Sequence, residues 1–464
     1  MKTMKVFFAI IVASCACFAD AYPETLQSDI RAAVQPVLDY WSNRFNTSFS
    51  FGIRSYDGVL DLGLASGIAD HSTGARISPE SVVPIGSVTK SYTAAAIMQL
   101  VERGMVNLND TVSDIVNAAL VKNHGTTLEK LWVGEGSMIS NVTIYQCLHM
   151  SAGLNDYNDA HYQAFTFKNP PRDYTPFDMI ENFNKSFVCA PGRCSYYSSV
   201  GYELLGLVLA AKSTQAQFWK DLKQSHVLPA GFIRSELNRT LFPITGECAS
   251  YVAKQGMIHQ YQVNINDAGK VSFRDITPYS CLNGWTCGNV AAPALDVARF
   301  FAYLGSGRIV SEHSLALMSH FDPLTKGFAP GTPYGLGLHL QGIRTVEGSP
   351  NPEYAQMIGH GGMDWGSNSE LNGFLPNLEL AMSISMGSSH GMNCSLLPGG
   401  FEENMYAATI VNCNVAQKVF QVLNASIPEL RHRVPAIDCS PPKHPLRPQA
   451  SSSSSAPLHQ RLHC

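Results

Sequence analysis

The stretch that decides the interpretation of this chain is Val83-Pro84-Ile85-Gly86-Ser87-Val88-Thr89-Lys90. It leads from a strand-like segment into an apolar run, Tyr92–Val101, that has no internal Gly or Pro and is followed by Gly104. The run predicts a helix, and residues three apart on a helix lie on one face. The amine of Lys90 is therefore expected within reach of the Ser87 hydroxyl.

This pairing of a serine with a lysine indicates nucleophilic chemistry. A serine is a poor nucleophile until a neighbouring base takes its proton. Lysine can be that base only if its pKa is lowered, and both burial and the positive end of a helix dipole lower it. The first turn of a buried helix would supply both effects. A second copy of the spacing, Ser440-Pro441-Pro442-Lys443, lies among prolines that no helix accommodates.

The composition of the chain allows it to bury a large hydrophobic core. The chain has 464 residues, of which 45% are hydrophobic and 15% charged, with a formal net charge of -4. No basic stripe is present, so a nucleic-acid partner is not expected. The internal apolar run Leu204–Ala211 ends at Lys212, too short to span a bilayer, so stable membrane insertion is not expected either.

The N-terminus has the pattern of a signal peptide. Lys2 and Lys5 precede an apolar stretch, and Ala19-Asp20-Ala21 fits the small-x-small cleavage rule. We expect residues 1–21 to be removed and the mature chain to be secreted, either extracellular or in the lumen of the secretory pathway. A membrane anchor is the alternative, for which the stretch is short.

Sequons and cysteines agree with a secretory route. Ten cysteines remain after residue 21, an even set that favours disulfides in an oxidising compartment. Cys189 with Cys194, and Cys281 with Cys287, could close short loops, although the sequence does not fix the pairing. No CxxC pair or HExxH occurs, so no metal site is expected. N-x-S/T sequons begin at Asn46, Asn109, Asn141, Asn184, Asn238, Asn393 and Asn424.

The order of predicted elements is strands, helices, strands and a closing helix. It suggests one antiparallel sheet, built from both ends of the chain and flanked by helices, with an inserted helical lobe: an α/β fold of the α+β type. We assign residues 22–430 to one domain with helical and loop-rich insertions at about 105–330, and residues 431–464 to a disordered Pro/Ser-rich tail. The predicted helices are Gln27–Tyr40, Val142–Leu148, Tyr202–Lys212, Leu295–Leu304 and Ala407–Leu423, and the predicted strands are Ser48–Val59, Leu60–Ala69, Leu336–Leu340, Gln356–His360, Asn372–Phe374 and Leu378–Met386.

Two further segments carry candidate site residues. In Pro191–Gly206 a polar loop with Tyr197 runs into an apolar helix, and a tyrosine there could shuttle protons. In Ile358–Gly366, glycines flank His360 on an apparent strand, so a substrate could approach the backbone closely. A backbone N–H of this strand could bind an oxyanion together with that of Ser87.

Together the motifs resemble those of the serine β-lactamase and penicillin-binding-protein superfamily, in its class C-like branch of esterases, D-aminopeptidases and eukaryotic β-lactamase-like proteins. Gly86–Ser91 resembles the nucleophile motif, and His149-Met150-Ser151-Ala152-Gly153-Leu154 resembles H-x-S-G-L with an inserted Ala. Pro191-Gly192 with Tyr197-Ser198-Ser199 and Gly201-Tyr202 resembles PG…YSN-x-GY, and Gly359-His360-Gly361-Gly362 resembles the H-x-G form of the third motif.

The resemblance implies a role for each matching residue. Ser87 would be the nucleophile, Lys90 its base and Tyr197 the proton relay to the leaving group. The N–H groups of Ser87 and Met363 would bind the oxyanion, beside His360, Gly361 and Gly362. Acylation of Ser87 and hydrolysis would follow without metal or cofactor, on a small-molecule or short-peptide substrate.

Two departures from the family pattern bear on the substrate. Ser199 stands where the family usually has the Asn of Y-x-N, which weakens the expected contact with Lys90 or with a substrate amide. His360 replaces the lysine of K-T-G, which helps to recognise the carboxylate of penicillins. We therefore expect an ester or D-residue amide substrate and weak or no β-lactamase activity.

Two alternatives remain open. Gly387-Ser388-Ser389-His390-Gly391 fits the G-x-S-x-G of an α/β-hydrolase, but the residues after it do not begin like a helix, and too little chain follows. The second alternative is a catalytically weak homologue that acts as a ligand-binding or assembly protein. This alternative is based on Ser199, which stands where the family usually has Asn.

Overall fold

The computed structural model describes residues 23, 25–157, 174–213, 218–243, 248–265, 271–279, 284–327, 330–388 and 407–440. The predicted signal peptide, residues 389–391 of the α/β-hydrolase alternative, and Cys281, Cys394 and Cys464 lie outside these residues.

The longest strands belong to the central sheet. They are β1 (Phe49–Ser55), β2 (Asp61–Ser66), β3 (Ile68–Asp70), β4 (Ala75–Arg76), β5 (Val83–Pro84), β6 (Tyr261–Ile265), β7 (Val271–Asp275), β8 (Ala291–Ala292), β9 (Asp322–Pro323), β10 (Pro333–Tyr334), β11 (His339–Gly342), β12 (Gln356–Gly359), β13 (Gly362–Asp364), β14 (Ser367–Leu375) and β15 (Leu380–Met386).

The helices are mostly inserted between the two groups of strands. They are α1 (Leu26–Phe45), α2 (Thr89–Glu102), α3 (Val112–His124), α4 (Leu128–Leu131), α5 (Gly136–Ile139), α6 (Ile144–Leu148), α7 (Pro176–Asn182), α8 (Ser199–Ser213), α9 (Gln224–Val227), α10 (Gly231–Glu236), α11 (Cys248–Gln255), α12 (Trp285–Gly288), α13 (Ala294–Gly305), α14 (Glu312–Met318) and α15 (Ala407–Ser426). Single 3-10 turns lie at Gly86–Val88, Phe218–Asp221, Pro352–Ala355, Pro376–Leu378 and Pro428–Leu430.

The central sheet is antiparallel and joins both ends of the chain, which confirms the predicted architecture. Its strands lie in the order β2-β1-β15-β14-β12-β11-β10-β9, with β13 paired to β14. The N-terminal strand β1 pairs with β15 along its full length, from Phe49 opposite Met386 to Ser55 opposite Leu380. The hairpin β1–β2 turns at Asp57-Gly58.

Helices cover both faces of the sheet. On one face α1 and α15 pack against each other and bury apolar side chains of β1, including Phe51 and Ile53, in one cluster. On the other face α13 packs against β1 and β15. The inserted helices share a second, larger core around α2 and α8. This two-sided cover explains why every residue of β1 and β15 is buried, as expected for a central strand.

Helix α2 runs through the middle of that larger core. Its residues from Thr89 to Met98 are all buried, so it has no solvent-facing side over most of its length. A helix that is enclosed on all sides fixes the position of its first turn, and Lys90 belongs to that turn.

The structure differs from the predictions at the start of the C-terminal tail and within residues 247–285. The ordered chain continues beyond residue 430, because Ile437 bridges to Thr345 and Cys439 is bonded to Cys413 on α15, which corrects the predicted start of the tail. No helix or strand was predicted within residues 247–285, although this region contains α11 and the hairpin β6–β7. In the part of the chain described here, no helix has the length and apolarity needed to cross a membrane.

Candidate active site

The candidate nucleophile lies on a tight turn between a strand and the buried helix α2. Strand β5 pairs with β8, and the 3-10 turn Gly86–Val88 connects β5 to α2. Gly86 has a φ of +51°, and a Cβ there would lie 2.3 Å from the carbonyl oxygen of Met363. Only glycine allows both this conformation and this close approach of β13. Ser87 is half-buried at the tip of the turn.

Ser87 and Lys90 are within hydrogen-bonding distance. The Lys90 Nζ lies 2.9 Å from the Ser87 Oγ, 3.3 Å from the Ser199 Oγ and 3.2 Å from the carbonyl oxygen of Cys287. The Lys90 side chain is completely buried. The amine therefore has three oxygen acceptors and is held in one position, facing the Ser87 hydroxyl.

Tyr197 completes the cluster. Its phenol interacts with the side chains of both Ser87 and Lys90, and the Lys90 Nζ lies 5.0 Å from the centre of its ring. Burial raises the pKa of Tyr197, although the Lys90 charge opposes this effect. The phenol is therefore protonated at neutral pH.

The pKa of Lys90 differs from the expected direction. Burial lowers the pKa of Lys90, but attraction by Tyr197 and Cys287 in their ionised forms outweighs burial, and the pKa of Lys90 is raised. The prediction of a lowered pKa from burial and the helix dipole is wrong, because the sequence did not reveal which groups pack against the amine. Lys90 and Tyr197 act as a coupled pair, which must lose a proton before either can serve as a base.

The loop that carries Tyr197 is anchored by the His149–Leu154 segment. The Tyr196 N–H donates to the Met150 carbonyl at 2.8 Å, and the Ser198 N–H approaches the Met150 Sδ at 3.4 Å. Met150 adopts a φ of +58°, an unusual conformation for a side chain of this size. A disulfide between Cys189 and Cys194 closes the preceding loop, one of the two pairings that the spacing allowed. The segment that resembles H-x-S-G-L therefore positions the tyrosine loop.

Ser199 begins helix α8, three residues earlier than predicted. Its N–H donates to the Asp156 Oδ1 at 2.8 Å, so a carboxylate from a distant loop caps the helix. Its buried hydroxyl accepts from Lys90. The expected contact between position 199 and Lys90 is therefore present, although it is 0.4 Å longer than the Ser87 contact.

Strand β13 brings the third motif against the nucleophile turn. A Cβ on Gly362 would lie 2.0 Å from the Ile85 carbonyl oxygen and 2.8 Å from the Ser87 nitrogen, so the two backbones touch. Among the described residues, no acceptor for the Ser87 N–H is found. The Met363 side chain is 40% exposed at the edge of the site. A polarised oxygen placed beside this turn would meet an unpartnered backbone donor.

His360 faces this cluster as a neutral group. It is buried, and its Nε2 lies 2.9 Å from the Tyr334 hydroxyl, while its Nδ1 faces the Gly361 carbonyl. Burial, with the nearby His339 and Lys90, holds the pKa of His360 well below its ordinary value. Burial also lowers the pKa of His339 to about 4, and the His339 Nε2 accepts from the Gly361 N–H at 3.1 Å. Neither imidazole carries a charge at neutral pH.

A buried thiol and carboxyl lie behind Lys90. Cys287 is a free thiol, which excludes the pairing with Cys281 that the spacing allowed. Its sulfur lies 3.2 Å from the Tyr157 hydroxyl. Glu203 has no exposed surface, and burial raises its pKa well above the ordinary value, so it is protonated at neutral pH. The wall behind the amine is thus uncharged.

All the predicted site residues converge on one region. The sequence missed Tyr334, His339 and Asp156, which hold the predicted residues in place. No spacing signal connects Tyr334 or His339 with His360, because tertiary pairing of β10, β11 and β12 brings them together. Asp156 lies two residues beyond the His149–Leu154 motif, which was the available signal.

Comparisons with known proteins show which proteins the chain resembles in sequence. The chain is 28% identical over 268 residues to penicillin-binding protein 4 of Amycolatopsis lactamdurans, an alignment that covers 55% of this chain and 61% of that protein. It is 24% identical over 195 residues to Protein flp of Staphylococcus aureus strain NCTC 8325, covering 42% of this chain and 36% of that protein. The alignments therefore span less than two thirds of the length of these curated relatives.

Solved structures share the fold at low identity. A D-amino acid amidase from Ochrobactrum anthropi SV3 matches with a TM-score of 0.60 and 20% identity, over 86% of this chain and 99% of that one. A penicillin-binding protein homologue from Pyrococcus abyssi matches with a TM-score of 0.58 and 21% identity, over 87% and 79%. The Beta-lactamase family model matches residues 45–392, which include every candidate site residue. The chain therefore belongs to the beta-lactamase family.

Proposed function

We propose that this protein is a secreted serine hydrolase that cleaves an ester or a D-residue amide or peptide bond through an acyl-enzyme on Ser87. The observation that carries the proposal is the 2.9 Å contact between the Lys90 Nζ and the Ser87 Oγ, with the Tyr197 phenol beside both side chains. A nucleophile, a base and a proton donor in mutual contact are the parts that acyl transfer requires.

The proposed cycle begins with proton loss from the Lys90–Tyr197 pair. The Ser87 Oγ then attacks the substrate carbonyl and gives its proton to the pair. The N–H groups of Ser87 and Met363 stabilise the oxyanion. Tyr197 protonates the leaving group, and a water molecule, activated by the same pair, hydrolyses the acyl-enzyme. Gly362 lets β13 approach the Ser87 turn closely, and Gly361 leaves the neighbouring backbone open to the substrate.

The neutral His360 argues against efficient hydrolysis of penicillins. A β-lactam antibiotic carries a carboxylate, and a buried uncharged imidazole bonded to Tyr334 offers that carboxylate no cation. Esters and amides without a carboxylate near the scissile bond are therefore the favoured substrates.

The test is covalent labelling of the purified full chain with a fluorophosphonate probe. We expect labelling of wild type and no labelling of Ser87→Ala, because the probe reacts with an activated serine. We expect labelling of Lys90→Ala to fall by about 100-fold or more, since general base catalysis contributes about 10²- to 10⁴-fold. Screening against p-nitrophenyl esters, D-residue amides and nitrocefin then identifies the substrate class.

A ligand-binding role is the second candidate. The raised pKa of Lys90 favours it, because an amine that keeps its proton is no base. Absence of Ser87 labelling in folded wild type, even at alkaline pH, would support this role and overturn the hydrolase proposal.

A further inference from the structure

A two-residue link, His360-Gly361, joins β12 to β13 and so determines where β13 meets the Ser87 turn. A Cβ on Gly361 would meet nothing within 4 Å, so no close contact holds this peptide in place. Gly361 is followed by Gly362, and two successive glycines have the widest choice of backbone conformations. Hydrogen bonds are therefore needed to fix the link and the start of β13 in one position.

Every backbone polar group of the link has a partner. The His360 N–H donates to the Asn372 carbonyl at 2.9 Å, and the His360 carbonyl accepts from the Asn372 side-chain amide at 3.2 Å. The Gly361 carbonyl accepts from the His360 Nδ1, and the Gly361 N–H donates to the His339 Nε2 at 3.1 Å. Asn372 on β14 and His339 on β11 thus hold the link from the strands on either side of β12.

The His339 ring is itself held by its neighbours. His339 pairs with Tyr334 on β10 and with Gly359 on β12. Its ring centre lies 4.9 Å from that of His360 in an edge-to-face contact, and 6.2 Å from that of Tyr334 in a stacked one. Because an amide N–H only donates, the His339 Nε2 is the acceptor and the ring proton is on Nδ1. The imidazole is therefore a neutral acceptor directed at the Gly361 N–H.

This hydrogen bond acts close to the proposed oxyanion site. Gly361 lies two residues before Met363, whose N–H is one of the two proposed oxyanion donors. Between them, the backbone of Gly362 touches the turn that carries Ser87. A shift of the Gly361 peptide therefore moves the Met363 N–H relative to the Ser87 N–H. Two donors stabilise one oxyanion only when both lie within hydrogen-bonding distance of it.

From these contacts we infer that His339 is a positioning residue, which fixes the Gly361 peptide and thereby aligns the Met363 N–H with that of Ser87. This inference rests on the proposed hydrolase function and deepens it. His339 acts through Gly361 and not on the reacting atoms. Loss of its acceptor slows reactions that place negative charge on an oxygen at this site more than reactions that place the charge on a larger, weaker acceptor.

The experiment measures labelling of Ser87 by two probes that differ in one atom, a fluorophosphonate with P=O and its analogue with P=S. Sulfur is a weak hydrogen-bond acceptor, so the P=S probe gains little from the N–H donors. Each rate is divided by the folded fraction and by the rate of hydrolysis of the probe in hydroxide. In His339→Phe, which keeps a flat ring but has no acceptor, we expect labelling by the P=O probe to fall by about 10- to 100-fold and labelling by the P=S probe to change by less than about threefold.

His339→Gln is the rescue variant, because the oxygen of the glutamine side chain can accept the Gly361 N–H. We expect it to restore most of the labelling by the P=O probe. His124→Phe is the matched control, since the His124 Nε2 also accepts an N–H at 3.1 Å, from Trp219, and its ring stacks on Phe177 of the inserted helices. We expect His124→Phe to keep the wild-type ratio of the two labelling rates. Should His339→Phe not fold, His339→Leu replaces it in the same comparison.

The outcomes separate the inference from the proposed function. An unchanged ratio of the two rates in the folded variant without an acceptor, or an equal loss with both probes, would overturn the positioning role of His339. Failure of folded His339→Gln to recover labelling by the P=O probe would also overturn it. Absence of Ser87 labelling in wild type by either probe would instead refute the hydrolase itself.

Discussion

The close contact between β13 and the turn that carries Ser87 leads us to expect different effects of substitution at two adjacent glycines, Gly361 and Gly362. In Gly362→Ala the new methyl would lie 2.0 Å from the Ile85 carbonyl oxygen, so the two backbones must separate by at least about 1 Å to restore an ordinary contact. In Gly361→Ala the methyl would meet nothing within 4 Å, and no positive φ opposes the substitution. The same substitution is therefore expected to disrupt the packing of β13 at Gly362 and to leave it unchanged at Gly361.

The expected magnitudes follow from this displacement. Misplacing a catalytic group by about 1 Å can reduce a rate by roughly 100-fold, so we expect Gly362→Ala to label with fluorophosphonate about 100-fold more slowly than wild type. Overpacking of a tight contact costs about 1 to 3 kcal/mol of the free energy of unfolding. We expect Gly361→Ala to keep wild-type stability and to change the labelling rate by less than about threefold.

The assay measures labelling rates and urea unfolding for the three proteins side by side. Labelling is divided by the folded fraction, so loss of stability is not mistaken for loss of reactivity. If Gly362→Ala reacts as fast as Gly361→Ala while both remain folded, β13 does not press on the turn, and the assignment of the oxyanion site fails.

Three further predictions concern the pH dependence and the stability of the chain. The labelling rate of wild type should rise with pH above neutrality, because the pKa of both Lys90 and Tyr197 is raised. The Tyr197→Phe variant should shift this rise to lower pH and should reduce the plateau rate by about 10²- to 10⁴-fold. A rise at the same pH in the variant would show that Tyr197 does not act on Lys90. The free energy of unfolding should decrease as pH falls from about 6.5 towards 4, because His339 has a pKa of about 4 in the folded chain and binds a proton at higher pH in the unfolded chain. In urea titrations at successive pH values, His339→Asn should make this decrease shallower. An identical slope in the variant would show that His339 does not contribute to the pH dependence. Cys413→Ser should lower the free energy of unfolding by about 3 kcal/mol, because the lost disulfide closes a loop across a sequence separation of 26 residues; equal midpoints under oxidising conditions would count against this bond.

Much of the fold could be predicted from the sequence where hydrophobic periodicity is strong. Helix α13 and strand β15 lie within two residues of the predicted positions, because each presents a continuous apolar surface to the core. Strand β14 was predicted only at Asn372–Phe374, although it spans Ser367–Leu375. Its polar residues are buried through hydrogen bonds: Ser367 donates to the Pro84 carbonyl, and Asn372 accepts from Ser383. A hydropathy pattern does not reveal such a strand, because hydrogen bonds to distant parts of the chain satisfy its polar atoms.

In the candidate site, the spacing of the residues could likewise be predicted from the sequence, whereas their ionisation could not. The spacing of Ser87 and Lys90 follows from helix geometry alone, and the contact is present. The ionisation of Lys90 does not follow, because it depends on Tyr197 and Cys287, which come from distant parts of the chain. Likewise, the neutral state of His360 depends on its burial and on the imidazole of His339 beside it. Local motifs predict which groups are available, and the packing around them determines their protonation.

The pairing of β1 with β15 has a consequence for biosynthesis. Phe49 can pair early with Ser66 of β2, but its pairing with Met386 cannot form until more than 300 further residues have been made. At translation rates of about 5 to 20 residues per second, the gap is roughly 20 to 70 s. During that time the apolar side chains of β1 and α1 lack their final partners while the inserted helices can already pack together. A chaperone that shields this N-terminal segment during synthesis would therefore increase the yield of native protein more than one that acts on the finished chain.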